Sequence, residues 1–197
     1  MRKILEAIVV GILFGLMTHI AEKYLPENLA FLTETKIIWL LPAFLISFNM
    51  PLRRQNSDSI TVAIITLLVT GYTYYLSEVI KNGNAFYFPE ELGTFTVIGF
   101  FAGTATGFVA YLGHSATNQL IRYGSASLLP AIFTGDGIEN IINTFNNFEF
   151  TPEIGVKVLG GIVFYMLIAG KNKFKRDSLI AFTALAAISA LVYLYMI

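Results

Sequence analysis

The sequence predicts an all-α protein, a polytopic bundle of transmembrane helices, and three observations carry that prediction. Of the 197 residues, 55% are hydrophobic and only 13% are charged, whereas ordinary globular chains carry about 25% charged residues. The mean hydropathy is +0.66. The apolar residues also gather in runs that approach the roughly 20 residues a helix needs to cross a bilayer. We therefore expect one integral membrane domain over residues 1–197.

The apolar runs define candidate spans in chain order. The first has the length of a signal-peptide core, but Glu6 interrupts it and no small-x-small cleavage site follows, so we expect an uncleaved helix. The second is short and holds Pro42, Ser47 and Asn49, so it is either kinked or placed where the bilayer is thin. The clear runs are Ile4–Ala21, Ile37–Leu52, Ile60–Ile80, Thr94–Gly113, Ile154–Gly170 and Leu179–Ile197.

The stretch 118–143 is ambiguous as a further span. Its apolar core, Leu128–Phe133, is too short to cross alone, and Pro130 and the glycines around Asp136 weaken a helix. If the stretch crosses, nine of the thirteen Lys and Arg residues lie on one side, as the positive-inside rule favours. The sequence thus favours seven crossings, with the N-terminus inside, the C-terminus outside and the fifth span broken. Six crossings with a re-entrant segment are the alternative.

This topology places four ionisable side chains at one depth toward the outer face. Ionisable groups at membrane depth are costly and mark functional sites by default. An unwound helix at that depth is typical of the solute sites of transporters. The plainer alternative is that Asp136 caps a short outer helix that begins at Gly137. The expected outward-facing polar site consists of His19, Tyr75, Glu78, Asp136, Glu139 and Asn140.

Two helices carry glycines at four-residue spacing. Gly99, Gly103 and Gly107 share one face of the fourth span, and Gly11 and Gly15 do the same in the first. Such faces let two helix backbones approach closely in lipid. We expect packing within the chain, with a homodimer or a membrane partner subunit as the alternative.

The sequence lacks the residues that several kinds of catalytic and metal site require. Without cysteine, the chain has no disulfide, thiolate catalyst or cysteine-held metal. His19 and His114 fall at opposite membrane faces, too far apart to share a metal. The FTGDG segment has Phe133 where the GxGD motif of intramembrane aspartyl proteases has glycine, and no second intramembrane aspartate follows. We therefore expect no catalytic residue, metal or cofactor, and the zero net charge predicts no nucleic-acid partner.

The segments NLAFL, WLLPAF, GYTYYL, GFFAGTATG and LLPAIFTGDG resemble an uncharacterised bacterial family of multispanning proteins of this length, over residues 1–145. That family brings no assigned activity. The small-residue face of the first helix (Ala7, Gly11 and Gly15) and the outer polar set are also similar to the S-components of energy-coupling-factor vitamin transporters. This second resemblance implies a ligand bound near the outer face. The seventh span and the lack of a vitamin-binding signature depart from it.

The charges suggest the kind of solute. Most basic residues fall on the inner side of the predicted topology and most acidic residues on the outer side, which favours a small cationic or zwitterionic solute there. We expect a multi-pass protein of the bacterial inner membrane that binds or passes such a solute. A non-transporting scaffold or regulatory subunit that packs through the glycine face is the alternative. A third is a lipid-modifying enzyme that uses Glu78 with His19.

Overall fold

A computed structural model describes residues 2–26, 36–50, 56–81, 90–144, 151–169 and 176–196, and every regular element in these ranges is helical. The expectation of an all-helical bundle is confirmed. The elements are α1 (Arg2–Tyr24), a 3-10 turn (Lys36–Trp39), α2 (Leu40–Phe48), α3 (Asn56–Lys81), α4 (Glu90–Ser115), α5 (Gln119–Thr144), α6 (Pro152–Ala169) and α7 (Arg176–Met196).

Four of the described helices are long and apolar enough to cross a membrane. They are α1, most of α3 and α4, and α7, and large apolar side chains such as Leu13, Phe101 and Leu191 are exposed on them. Such surfaces fit lipid better than water, so the chain is a membrane protein. The total of six to seven crossings stays a prediction. The second predicted span is short, because the 3-10 turn and α2 together reach about 20 Å against a hydrocarbon core of roughly 30 Å.

The predicted break in the fifth span is wrong, because α5 is one continuous helix that includes Pro130. Its glycines admit neighbouring helices and do not end the helix. A Cβ on Gly135 would lie 2.5 Å from the Cβ of Ser189 on α7, and a Cβ on Gly137 would lie 2.9 Å from the Cβ of Lys157 on α6. The TGDG segment is therefore the point where α6 and α7 both approach α5.

The chain forms two compact units, Met1–Tyr111 and Leu112–Ile197, and each is described by itself. The expectation of a single domain over the whole chain stays a prediction. In the first unit, α1 lies directly on α3. A Cβ on Gly11 would lie 2.9 Å from the carbonyl oxygen of Thr66, and one on Gly15 would lie 2.5 Å from that of Thr70. The two backbones approach more closely than any side chain at these positions would allow.

The glycine face of α4 packs on another face of α3. A Cβ on Gly103 would lie 2.8 Å from the Cα of Ile64, and one on Gly107 would lie 2.5 Å from the Cα of Ile60. Gly99, one turn earlier, faces the side chain of Leu68. The glycine face is therefore covered within the chain.

The core of the first unit is aromatic and surrounds Trp39. This side chain is fully buried, with its ring centroid 5.4 Å from that of Tyr74 on α3 and 5.3 Å from that of Phe95 on α4. Tyr75 packs against both Tyr74 and Phe95. The 3-10 turn thus ties α3 to α4 through one large side chain.

In the second unit, α5 packs against α6 and α7. The core holds Ala131 from α5, Tyr165 from α6 and Phe182 from α7. The rings of Tyr165 and Phe182 stack with their centroids 4.2 Å apart, and the Tyr165 hydroxyl lies 3.2 Å from that of Ser178. Small residues on α5 and large aromatic residues on its neighbours make this contact, which sets the register of the polar residues on α5 and α6.

Candidate functional site

The six residues predicted to form one polar site fall into two sets of three, one in each unit. His19, Tyr75 and Glu78 belong to the first unit, and the second unit holds the remaining three, Asp136, Glu139 and Asn140. Each set is close together within its own unit.

The centre of the second set is a residue that the sequence did not single out, Lys157 of α6. Its side chain is buried, with only 5% of the residue exposed. Its ammonium nitrogen lies 2.8 Å from Oδ2 of Asp136 on α5 and 2.6 Å from Oε1 of Glu153, one turn earlier on α6. A buried ammonium ion is tolerated only when its donors are satisfied in this way.

Asn140 extends this arrangement by one turn of α5. In the orientation that satisfies both ends of its amide, the oxygen accepts a hydrogen bond from Lys157 at 3.0 Å, and the nitrogen donates to Oε2 of Glu139 at 3.2 Å. The amide therefore links Glu139 to the ammonium ion. We call Asp136, Glu139, Asn140, Glu153 and Lys157 the lysine cluster.

The local sequence explains how the lysine cluster is built. Asp136 and Asn140 are four residues apart on α5 and share one face of the helix, as do Glu153 and Lys157 on α6. Gly137 has no side chain to hold these faces of α5 and α6 apart. A Cβ at this position would lie 2.9 Å from the Cβ of Lys157. Tyr193 of α7 lies near enough for the charges of the cluster to act on its hydroxyl.

Two carboxylates lie against the ammonium ion of Lys157. They belong to Asp136 and Glu153, which leaves one negative charge in formal terms. The oxygens around Lys157 come from a carboxylate on each of two helices and from an amide, and all three accept hydrogen bonds, as an ammonium ion requires. Among the described residues, no group of three or more His, Cys, Asp or Glu side chains could hold a metal ion. The arrangement can therefore hold an ammonium group and attract a further positive charge.

Sequence reasoning did not single out Lys157, although the residue lies inside the predicted span Ile154–Gly170. The available signal was a lysine inside the apolar run VKVLGGIVF, four residues after Glu153. Such an i,i+4 pair in an otherwise apolar helix indicates a buried ion pair and not a solvated end.

Several polar residues of the first unit meet at the C-terminal end of α1. The Tyr74 hydroxyl donates to Oε2 of Glu22 at 2.5 Å, and the indole nitrogen of Trp39 donates to the Thr18 hydroxyl at 3.2 Å. These two hydrogen bonds connect α1 to α3 and to the 3-10 turn. Tyr75 contributes ring contacts to the aromatic core and not to these hydrogen bonds.

His19 and Glu78 form the third polar contact at this end of α1. Nδ1 of His19 lies 3.3 Å from Oε1 of Glu78, and the same carboxylate oxygen lies 3.6 Å from the ammonium nitrogen of Lys81. The His19 ring meets the Tyr74 ring edge-on at 6.2 Å. A carboxylate and a histidine from different helices therefore meet here, and their grouping in one site with Asp136 stays a prediction.

Comparisons with known proteins show which family the chain belongs to. A family model described as a family of unknown function, DUF6518, matches residues 1–197. No curated protein and no solved structure matches the chain. The match covers the complete length of the sequence and agrees with the resemblance to an uncharacterised family of this length. The chain therefore belongs to the DUF6518 family.

Proposed function

We propose that the protein binds or passes a small cationic or zwitterionic solute at the lysine cluster. The single observation that carries the proposal is the buried ammonium group of Lys157 between Asp136 and Glu153, at 2.8 and 2.6 Å. Ionisable groups inside helical membrane proteins pair with one another and mark solute or ion pathways.

The charge excess separates this proposal from a purely structural ion pair. A structural pair would be neutral, because uncompensated charge in a low-dielectric interior is costly. Lys157 instead faces two carboxylates, those of Asp136 and Glu153, with one ammonium ion. A bound cation offsets this excess, so positive charge on the solute is favoured and negative charge is disfavoured.

The membrane context supports the same class of solute. We propose a location in a bacterial inner membrane with the N-terminus in the cytoplasm, since most Lys and Arg residues then lie on the cytoplasmic side. In that orientation the lysine cluster is nearer the outer face. The glycine face that a scaffold would offer to a partner helix is covered by α3, which favours solute binding over that alternative.

Thermal unfolding of the detergent-purified protein tests the proposal. The probes are ethylammonium, putrescine, β-alanine, glycine betaine and acetate, with wild type, Asp136→Asn and Asp177→Asn compared. Asp177 is an exposed carboxylate in the first turn of α7 and serves as the matched control.

We expect one or more of the cationic or zwitterionic probes to raise the Tm of wild type and of Asp177→Asn. The same probes leave the Tm of Asp136→Asn unchanged. Binding to the folded state alone stabilises by about 2.7 kcal/mol at a hundred times Kd, which is readily measured. Equal stabilisation of Asp136→Asn, or stabilisation by acetate alone, would contradict the proposal.

A further inference from the structure

We propose that Tyr193 of α7 completes the solute site and makes it selective for a primary ammonium group. This inference rests on the solute site proposed above and names the chemical class of its solute. The N–H groups of a primary ammonium ion donate hydrogen bonds to the carboxylates of the lysine cluster and to the Tyr193 hydroxyl. A quaternary ammonium group has no N–H group to donate.

Within the second unit, α7 runs parallel to α5. Ala131 on α5 belongs to the same buried cluster as Phe182 and Ala186 on α7. One turn later on α5, a Cβ on Gly135 would lie 2.9 Å from the carbonyl oxygen of Ala186 and 2.5 Å from the Cβ of Ser189. The contacts therefore advance in the same direction along both helices.

The next turn of this contact brings Tyr193 level with the lysine cluster. Four residues beyond Gly135 and Ser189, α5 carries Glu139 and α7 carries Tyr193. Residues four apart share one face of a helix, so both continue the surfaces that face each other. The charges of Glu139, Asp136 and Lys157 act on the Tyr193 hydroxyl, in agreement with this register.

The Tyr193 hydroxyl is available to a solute. The side chain is partly exposed, and among the described residues the hydroxyl is influenced by burial and by the charges of the cluster, with no hydrogen bond to a side chain. The hydroxyl of Tyr165, in the core of the same unit, lies instead 3.2 Å from that of Ser178. A phenol hydroxyl accepts as well as donates, so Tyr193 offers an acceptor beside the carboxylates.

The lysine cluster already shows how this site holds a primary ammonium group. The ammonium nitrogen of Lys157 lies 2.8 Å from Asp136, 2.6 Å from Glu153 and 3.0 Å from the amide oxygen of Asn140. Its three N–H donors thus meet three oxygen acceptors. Each methyl group that replaces an N–H on a solute removes a donor and leaves an acceptor of the site unpaired, which is costly away from water.

Titration calorimetry in lipid nanodiscs tests this inference with two probes that differ only at nitrogen, ethylammonium and ethyltrimethylammonium. The proteins are wild type, Tyr193→Phe, which keeps the ring and removes the hydroxyl, and Tyr195→Phe. Tyr195 lies on the same helix and is 83% exposed, so it is the matched control. Asp136→Asn is measured alongside, because it reports on the solute site itself.

We expect wild type and Tyr195→Phe to bind ethylammonium at least about tenfold more tightly than ethyltrimethylammonium. Tyr193→Phe weakens ethylammonium binding by about tenfold, the loss expected for one hydrogen bond to a charged group. Its Kd for ethyltrimethylammonium stays within about twofold of wild type. The comparison of the two probes on wild type needs no variant, so it stands even if Tyr193→Phe does not fold.

Equal affinity of wild type for the two probes, or an unchanged Kd for ethylammonium in Tyr193→Phe, would overturn this inference. If the binding is still lost in Asp136→Asn, the solute site of the preceding section stands without Tyr193. Failure of ethylammonium to bind wild type also overturns the inference. Failure of every cationic and zwitterionic probe overturns the proposed function with it.

Discussion

Lys157 connects two helices through its charge. The ammonium group bridges Asp136 on α5 and Glu153 on its own helix, and Gly137 lets its stem cross α5 closely. Removal of one member of a buried charge pair leaves the others without compensation, and this loss costs more than the pair itself contributes. The stability of the second unit therefore depends on Lys157 more than on any exposed charge.

We expect Lys157→Met to lower the free energy of unfolding by about 3–5 kcal/mol, because Asp136 and Glu153 then lose the positive charge between them. Addition of Asp136→Asn and Glu153→Gln recovers most of the loss, since no unpaired charge remains. Chemical unfolding monitored by circular dichroism measures both the loss and the recovery of the free energy of unfolding.

Arg176→Met is the matched control, because Arg176 is an exposed cation at the start of α7. It changes the unfolding free energy by less than about 0.5 kcal/mol. A loss from Lys157→Met no larger than that of the control would show that the ammonium group is not buried as described.

The residue types of the site were predictable, but their pairing was not. Asp136, Glu139 and Asn140 are conspicuous in a sequence that is otherwise apolar around them. Lys157 gains its role only because α5 and α6 meet at Gly137, and a single sequence does not say which helices touch. The grouping of His19 and Glu78 with Asp136 in one site stays a prediction.

At the scale of elements, glycines determine how closely the helices pack. α3 is contacted by α1 at Gly11 and Gly15 and by α4 at Gly103 and Gly107. The apolar runs predicted α1, α3, α4 and α7 to within a few residues. The continuity of α5 was missed because the sequence does not distinguish a glycine that loosens a helix from one that admits a neighbour.

We expect Gly103→Ala to destabilise the protein by about 1–3 kcal/mol, since its Cβ would lie 2.8 Å from the Cα of Ile64 and overpacking forces backbone shifts. Gly93→Ala on the same helix is the control. Nothing lies within 4 Å of its Cβ position, so the higher helix propensity of alanine leaves stability unchanged or raises it by up to about 1 kcal/mol. Equal effects of the two substitutions on the unfolding free energy would contradict the packing of α4 on α3.

For the whole molecule, the predicted topology gives the chain a basic inner side and an acidic outer side, although its net charge is zero. Helix length and apolarity support a membrane crossing for α1, α3, α4 and α7. The crossing of α5 decides between six and seven spans, and with it the side on which the C-terminus lies.

Cysteine labelling tests that topology in a chain that has no cysteine of its own. We expect an impermeant maleimide to label Thr151→Cys on intact cells and to leave Gln119→Cys unlabelled, because α5 separates the two positions. Lys23→Cys, at the outer end of α1, is the positive control. Labelling of Gln119→Cys and Thr151→Cys to the same extent would place both ends of α5 on one side and exclude seven crossings.

The central claim is that the lysine cluster binds a small positively charged or zwitterionic solute. Titration calorimetry in lipid nanodiscs, with the most stabilising probe from the thermal screen, tests it most directly. We expect Asp136→Asn to weaken binding by at least about tenfold, equivalent to about 1.4 kcal/mol, and Asp177→Asn to leave Kd within about twofold of wild type. An unchanged Kd in Asp136→Asn would contradict the claim.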